Sequence, residues 1–294
     1  MRNTFTRLQR FVAIWRLSGS YQLAMLAARN RCQEVVLDFL RSGGGLTPGA
    51  AVYRSQRLPR TLFEGAALAG VGYMKQVVDS GATVSSESGG RYVASLSNGL
   101  KFEADGSAFI DTLCMLAERF VDEEYGWLEV AGHVVVDVGA NIADSVIYFV
   151  RRGAVYVYGY EPNPIAHGAA VRNLELNAIK NAGVVQAAVG SASRGTGEIA
   201  FAEVLALASS EHPNLPVVCK IDCEGCEYEL LAPGSLEARW LEPVTQIMIE
   251  YHLRSPDPLV RALEGFGFLV ETSSGAPGVG WIRARRPASE GRAL

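Results

Sequence analysis

Short apolar runs rich in β-branched residues alternate with helical segments from His133 onward, and this alternation constrains the fold more than any other feature of the sequence. The expected strands are 133–138, 154–160, 183–188, 217–222, 245–251, 268–272 and 280–285. The expected helices between them are 144–152, 165–176, 226–231 and 258–266. Such alternation is typical of a parallel sheet covered by helices on both faces. Only 273–279 separates the last two strands, which is too short for a crossover helix, so we expect them to pair antiparallel at the end of the sheet.

The chain before residue 133 has a different pattern. Asn98-Gly99 stands between two runs of alternating polarity, 92–97 and 100–104, which is the strongest short-range signal of a β-hairpin. Helices are expected over 5–17, 21–41, 62–78 and 108–121, with a loop that contains Pro48 and Pro59.

The predicted fold is therefore α/β: a doubly wound, mostly parallel seven-stranded sheet with an antiparallel last strand, preceded by a helical N-terminal region and a β-hairpin. We expect a basic helical region over 1–90, a hairpin and helix leading into the core over 91–130, the sheet domain over 131–286, and a loose tail over 287–294.

Composition and charge narrow the class of protein. With 49% hydrophobic and 20% charged residues the chain is not a disordered one. No uncharged run approaches the roughly 20 apolar residues of a membrane-spanning helix. The apolar run 11–15 is too short for the core of a signal peptide, so we expect a cytoplasmic setting. Five cysteines, an odd and sparse set, do not resemble a disulfide framework.

Charge is distributed unevenly along the chain. Residues 1–60 carry a net charge of +8, all of its basic residues being arginine, whereas the remainder carries −12. The basic segment is expected either to pack on the acidic domain or to make a peripheral contact with an anionic membrane.

The turn after the strand 133–138 is a candidate nucleotide site. Gly139 lets a ligand approach the backbone where a helix begins. A dinucleotide fingerprint would need two further glycines, and Asp137 would repel a pyrophosphate but suits a cationic ligand. Glu161 follows the next strand, near the spacing at which an acid binds ribose hydroxyls. A ribose and a positive charge together indicate S-adenosylmethionine, whose sulfonium is cationic.

The fourth predicted strand runs into an acidic segment, Lys220-Ile221-Asp222-Cys223-Glu224-Gly225-Cys226-Glu227. Its acids follow the carboxyl end of the strand, which is where open α/β sheets place their sites. Cys223 and Cys226 have the spacing of a metal or redox pair. A structural zinc needs four ligands, and the sequence has no second pair; flanking acids raise a thiol pKa, which disfavours a thioredoxin-like role. We interpret both as half-buried cysteines beside functional acids, and we expect no metal site. The next strand ends in Glu250-Tyr251-His252 at the same sheet edge.

Five motifs, in this order, resemble the FkbM family of class I, Rossmann-like, S-adenosylmethionine-dependent methyltransferases. They lie at 135–141, 160–164, 187–190, 220–227 and 249–252. The resemblance covers about 130–285, and more loosely the hairpin and 124–128. It implies cofactor contacts at Asp137, Gly139, Asn141 and Glu161, and an active-site role for Asp222 and Glu224. Ala143 stands where members often have glycine; we expect its methyl group to be tolerated, since helix geometry needs no positive φ.

The expected reaction is O-methylation of a hydroxyl on a sugar, lipid or small-molecule acceptor. The acceptor hydroxyl needs a base, and the choice among His252, Glu224, Glu227 and Asp222 is open. The predicted catalytic set is Asp222, Glu224, Glu250 and His252. The predicted cofactor set is Asp137, Gly139, Ala140, Asn141, Asp144, Glu161, Pro162 and Asp222.

Two alternatives stay open beside this reaction. One is a non-catalytic protein that binds S-adenosylmethionine. The other is a nucleic-acid methyltransferase, which the basic N-terminus suggests and which the carboxylates at 222 and 224 disfavour because they would repel phosphates.

Overall fold

The chain forms two compact units, Met1–Glu124 and Tyr125–Leu294. The computed structural model describes residues 6–106, 108–195, 197–276 and 278–287. Of the tail expected over 287–294, all but Pro287 lies outside the described residues. Within the described part of the chain, no helix combines the length and the apolar character needed to cross a membrane.

The first unit combines helices with two small antiparallel sheets. Its helices are α1 (Arg7–Ser18), α2 (Tyr21–Arg29), α3 (Gln33–Arg41), α4 (Gly70–Asp79) and α5 (Phe109–Phe120). One sheet contains β1 (Gly45–Leu46), β2 (Ala50–Tyr53) and β3 (Gln56–Pro59), and the other β4 (Thr83–Ser86), β5 (Arg91–Ser95) and β6 (Lys101–Asp105). β5 and β6 are the predicted hairpin around Asn98-Gly99, which is confirmed.

Two expectations for the first 60 residues are wrong. The helix expected over 21–41 is two helices, because Arg31 takes a left-handed φ of 57° and the Cys32 amide donates back to the carbonyl oxygen of Ala27. The loop expected to hold Pro48 and Pro59 is the sheet β1–β3, in which Pro48 lies in the first turn. The buried side chains of this sheet include Ala51, so the strands are held by packing that so short a pattern did not reveal.

The second unit is built on a seven-stranded sheet. Its strands are β7 (Val134–Val138), β8 (Tyr156–Tyr160), β9 (Ala182–Val185), β12 (Val217–Ile221), β13 (Val244–His252), β14 (Leu269–Ala276) and β15 (Val279–Arg285); β10 (Ala188–Gly190) and β11 (Glu198–Ala200) form a separate parallel pair. Its helices are α6 (Asp144–Arg151), α7 (Pro164–Leu176), α8 (Phe201–Glu211), α9 (Glu227–Leu230) and α10 (Asp257–Gly265).

The strand order is β14-β15-β13-β12-β7-β8-β9. Every neighbouring pair is parallel except those that β15 makes with β13 and β14. The predicted class I methyltransferase-like fold, mostly parallel with an antiparallel last strand, is confirmed. The chain runs from β7 outward to β9 and then returns to β12 on the other side of β7, so the order reverses between β7 and β12. Ligands of open α/β sheets bind beyond the carboxyl ends of the strands at such a switch point.

The two strands at the switch point form the centre of the core. All five residues of β7 and all five of β12 are buried. Helix α8, which the sequence analysis did not predict, covers this part of the sheet with Phe201, Val204 and Leu205. Burial on both faces explains why both strands are apolar, apart from one charged residue each, rather than alternating.

The turn that joins β7 to α6 is strained in a way that the sequence analysis did not foresee. Gly139, Asn141 and Ala143 all have positive φ, at 82°, 43° and 67°. Ala143 stands before the first residue of α6, and its amide donates to the carbonyl oxygen of Ala140 at 2.8 Å. The expectation that this position needs no positive φ is therefore wrong, and the preference for glycine has a backbone cause.

Ala143→Gly isolates this strain. A left-handed conformation costs a residue other than glycine about 1–2 kcal/mol. We therefore expect the free energy of unfolding of Ala143→Gly to exceed that of Ala170→Gly by about that amount. Ala170 is the matched control because both alanines are fully buried and Ala170 lies inside α7. Urea unfolding measures both variants, and equal losses of stability would contradict the strain.

Candidate functional site

The carboxyl ends of four adjacent strands bring the predicted site residues into one row. Tyr160 is aligned with Val138, Val138 with Ile221, and Ile221 with Ile249. The residues that follow them, Glu161, Gly139, Asp222 and Glu250, therefore lie side by side along one edge of the sheet. This row crosses the switch point between β7 and β12.

Gly139 occupies a position with no room for a side chain. Its amide and that of Ala140 both donate to the carbonyl oxygen of Tyr160, at 2.9 and 3.0 Å. On the other side, a Cβ built on Gly139 would overlap the carbonyl oxygen of Asp222. The turn is thus wedged between the strand ends that carry Glu161 and Asp222, which explains why glycine is needed here.

A buried ion pair lies beneath the turn. The Lys220 ammonium is 3.1 Å from a carboxylate oxygen of Asp137, and their side chains are 2% and 0% exposed. Ser145 donates to the other oxygen of Asp137, and Lys220 donates to the carbonyl oxygen of Gly139 at 2.6 Å. Burial raises the pKa of the Asp137 carboxyl, and Lys220 and Ser145 oppose that rise.

Lys220 changes the interpretation of Asp137. The sequence analysis assigned the carboxylate to a cationic ligand, and the structure places a cation of the chain itself against it. A direct contact of Asp137 with a ligand stays a prediction. The sequence does contain a signal for this ion pair. Lys220 is a lone charge within an apolar, buried strand, and a buried charge has to be paired.

Glu161 is held firmly beside the turn. Its two carboxylate oxygens accept the amides of Asn141 and Asn163 at 2.9 and 2.8 Å, and the residue is mostly buried. A carboxylate offers about four acceptor positions, so this one can still accept hydroxyl groups. Of the other predicted cofactor residues, Ala140 and Asp144 are buried and Pro162 is exposed.

Cys223 and Cys226 form a disulfide. Both cysteines are half-buried, as expected, but the bond between them was not predicted from the sequence. The loop folds back at Glu224 and Gly225, which both have positive φ, and this brings the two cysteine Cα atoms to 5.5 Å. Two cysteines separated by two residues can form a disulfide only where the backbone turns sharply between them. Their spacing in the sequence does not show whether such a turn is present.

The disulfide predicts a simple labelling result. Denatured protein treated with iodoacetamide without reductant should be alkylated at Cys32, Cys114 and Cys219, and at all five cysteines after reduction. Cys226→Ala is the control, because it should expose Cys223 to label without reductant. Mass spectrometry reads each count, and labelling of all five cysteines without reductant would contradict the bond.

His252 lies among carboxylates at the end of β13. Its Nε2 is 3.8 Å from an oxygen of Glu224 and 3.8 Å from an oxygen of Glu250. Its Nδ1 is 3.6 Å from Glu227, whose fully buried carboxylate also accepts the His252 amide at 3.0 Å. The structure therefore brings together the predicted residues Glu224, Glu250 and His252.

Asp222 completes this cluster on the β12 side. The hydroxyl of Tyr125 donates to its carboxylate at 3.3 Å, and the Lys220 ammonium lies 3.7 Å from it. Tyr125 is fully buried, and the sequence analysis missed its contact because the two residues are 97 positions apart. Glu224 differs from the other acids in that its side chain is 84% exposed.

Comparison with known proteins gives fold-level likeness only. No protein-family model matches the chain, and no curated protein matches it. Solved structures that resemble it include M. capricolum TrmK with S-adenosyl-homocysteine (13% identity, 57% of this chain and 68% of that chain, TM-score 0.38) and magnesium protoporphyrin IX methyltransferase from Synechocystis PCC 6803 with bound SAM (15%, 60% and 82%, TM-score 0.38). A protein of the NADB-Rossmann superfamily from Streptococcus agalactiae has 15% identity over 56% of this chain and 67% of that one, with a TM-score of 0.42. Likeness of this degree assigns no family, activity or ligand, so the FkbM resemblance stays a prediction from motifs.

Proposed function

We propose that this protein is an S-adenosylmethionine-dependent methyltransferase that methylates a hydroxyl group of a sugar, lipid or small-molecule acceptor. The observation that carries the proposal is the position of Glu161. Its carboxylate is fixed by the Asn141 and Asn163 amides beside the Gly139 turn, on the strand next to the switch point.

The cofactor half of the proposal follows from that position. A turn without a side chain lets a nucleoside approach the backbone, and an acid at the end of the second strand suits the two ribose hydroxyls. The chain has no further glycines for a pyrophosphate in this turn. A cofactor with a ribose and without a pyrophosphate, such as S-adenosylmethionine, therefore fits this end of the sheet better than a dinucleotide does.

The acceptor half rests on the cluster at the ends of β12 and β13. Methyl transfer to oxygen displaces the sulfur in one step, so the enzyme has to align the oxygen, the methyl carbon and the sulfur; such positioning supplies about 7–11 kcal/mol. The hydroxyl proton has to be taken up as the bond forms. Asp222, Glu224, Glu250 and His252 provide acceptors for it one or two strands away from the Gly139 turn. Glu227 is less suited to this task, because its carboxylate is buried and already accepts two backbone amides.

A methyl-transfer screen with labelled S-adenosylmethionine tests the proposal. Glycans, lipids, small alcohols and RNA are offered as acceptors to the full-length protein. Label on a hydroxyl supports the proposal, and label on RNA alone would favour the nucleic-acid alternative. Binding of S-adenosylmethionine without transfer to any acceptor would favour the non-catalytic alternative.

Glu161→Gln should weaken binding of S-adenosylmethionine by about 1.5–3 kcal/mol, the usual range for hydrogen bonds to a charged group. Glutamine keeps one acceptor oxygen but turns an amide group toward the Asn141 or Asn163 amide. Isothermal calorimetry on full-length protein measures the affinity, and Glu175→Gln, at an exposed position of α7, is the matched control. Unchanged affinity in Glu161→Gln would remove the main support for the cofactor.

The cytoplasmic setting and the contact of the basic N-terminus with a membrane stay predictions. The feature that supports a surface role is on α1, where Leu8, Trp15 and Leu17 are exposed in a helix that also carries Arg16.

A further inference from the structure

Three side chains of the kinds that bind metal ions converge at the ends of β12 and β13. One oxygen of Asp222, one oxygen of Glu250 and one ring nitrogen of His252 all lie within 4.8 Å of one another. Glu250 and His252 lie in β13, and Asp222 directly follows the last paired residue of the neighbouring strand β12, so the strand register sets where all three backbones lie.

His252 is the unusual member of this group. Its side chain is 9% exposed, and its Nδ1 has no hydrogen-bond partner among the described residues. Its Nε2 lies 3.8 Å from oxygens of Glu224 and Glu250, which is longer than a hydrogen bond. Metal–nitrogen and metal–oxygen bonds are about 2.0–2.2 Å, so two ligands of one ion can lie up to about 4.4 Å apart. The separation of Nε2 from Glu250 therefore suits two ligands of one ion, and Asp222, within 4.8 Å of both, would need only a small side-chain adjustment to join them.

Glu227 holds the other side of the imidazole. Its fully buried carboxylate accepts the His252 backbone amide at 3.0 Å and lies 3.6 Å from Nδ1. Histidines that bind a metal commonly direct their second ring nitrogen toward a carboxylate, which fixes the ring orientation. Glu227 is in position to do this while Nε2 faces the cluster of Glu250 and Glu224.

Several carboxylates lie close together at this edge of the sheet. The carboxylates of Asp222, Glu224, Glu227 and Glu250 surround one imidazole. The Lys220 ammonium is 3.7 Å from Asp222 and lies nearer to the buried Asp137, at 3.1 Å. An ion at this edge would therefore have several carboxylate oxygens within reach.

We propose that Asp222, Glu250 and His252 form a binding site for one divalent transition-metal ion. A set of one imidazole and two carboxylates suits ions such as Mn²⁺ or Zn²⁺. Three protein ligands leave coordination positions for water or another oxygen. A hydroxyl oxygen of the acceptor would take one of them, a point that rests on the proposed function; the metal site itself does not.

The nearby group of Cys223, Cys226 and Glu227 does not compete for the ion in the oxidised protein. Both of its sulfur atoms are in the disulfide and offer no thiolate. The proposed site also departs from the expectation, drawn from the sequence, that no metal is bound. That expectation considered the cysteine pair and not the ends of two neighbouring strands.

Mn²⁺ alone, added to chelator-treated full-length protein, tests the site. Electron paramagnetic resonance counts bound Mn²⁺, and pulsed measurements detect a nitrogen nucleus bound to it. We expect one bound ion per chain with nitrogen coupling. Glu250→Gln should raise the Mn²⁺ dissociation constant by at least about tenfold to a hundredfold, the range seen when even the outer partners of ligands are lost. Glu237→Gln is the control, because Glu237 is an exposed acid of the same unit.

His252→Gln distinguishes the loss of a metal ligand from a loss of folding. Mn²⁺ still bound by the two carboxylates should lose its nitrogen coupling, while circular dichroism shows the fold retained. Absence of Mn²⁺ binding to the parent protein at millimolar concentration, or affinity and nitrogen coupling unchanged by both variants, would overturn the proposal. Calorimetry with S-adenosylmethionine on the metal-free protein separates the two hypotheses. Cofactor binding without Mn²⁺ binding refutes the metal site alone, and Mn²⁺ binding without cofactor binding refutes the proposed function alone.

Discussion

Gly139→Ala should lower the free energy of unfolding of the second unit by about 2–5 kcal/mol. The estimate combines about 1–2 kcal/mol for a left-handed conformation with about 1–3 kcal/mol for an added methyl in a filled space. Gly139 has a φ of 82°, and its Cβ would meet the carbonyl oxygen of Asp222, which is backbone and cannot rotate away. Relief requires β7 and β12 to separate at the switch point, so cofactor binding should be lost as well.

Gly132→Ala separates the two causes. Gly132 also has a positive φ, 74°, but a Cβ there would meet nothing within 4 Å. We expect this control to lose only about 1–2 kcal/mol and to keep cofactor binding. Urea unfolding followed by tryptophan fluorescence is suitable, because three of the four tryptophans lie in the second unit. Equal losses in the two variants would show that the contact with Asp222 is unimportant.

Lys220→Met should destabilise the protein by about 3–5 kcal/mol, since removal of one member of a buried ion pair leaves the other charge uncompensated. Methionine keeps most of the volume of the lysine stem, so a packing defect contributes little. Asp137→Asn combined with Lys220→Met removes both charges and should recover part of the loss. If the double variant is no more stable than Lys220→Met, the unpaired Asp137 carboxylate is not the cause of the lost stability.

The loss in Lys220→Met should also depend on pH. Burial raises the pKa of Asp137, and Lys220 opposes that rise, so the variant should have a higher Asp137 pKa than the parent protein. A carboxyl whose pKa is higher in the folded than in the unfolded state lowers stability as the pH rises between the two values. The difference between variant and parent should therefore be largest near neutral pH and shrink toward about pH 4, the ordinary range for an aspartate. A difference that does not change with pH would contradict this account.

The sheet could be predicted from the sequence because its central strands are buried on both faces. β7 and β12 are apolar apart from one charged residue each, and the segments after them carry the glycine and the acids that mark a switch point. The first unit was harder to predict. β2 and β3 have four residues each, too few for a period to be distinguished, so they were mistaken for a loop.

The site was predictable in its position but not in its contacts. Strand ends placed Asp222, Glu250 and His252 together, since the carboxyl ends of parallel strands meet at one edge. The partners of these residues depend on tertiary geometry: Tyr125 reaches Asp222 from a distant part of the chain, and Glu227 turns back onto His252. The disulfide likewise depends on the positive φ of Glu224 and Gly225, which local sequence did not indicate.

The place of β15 in the sheet has a consequence for biosynthesis. β15 (Val279–Arg285) pairs on one side with β13, which carries Glu250 and His252, and on the other with β14. Until β15 has left the ribosome, β13 has an open edge, and β14 has no strand to join it to the sheet. Open edges of this kind recruit strands from other chains. A nascent chain of this protein is therefore exposed to aggregation in the interval between the emergence of β13, which carries Glu250 and His252, and the emergence of β15, which covers it.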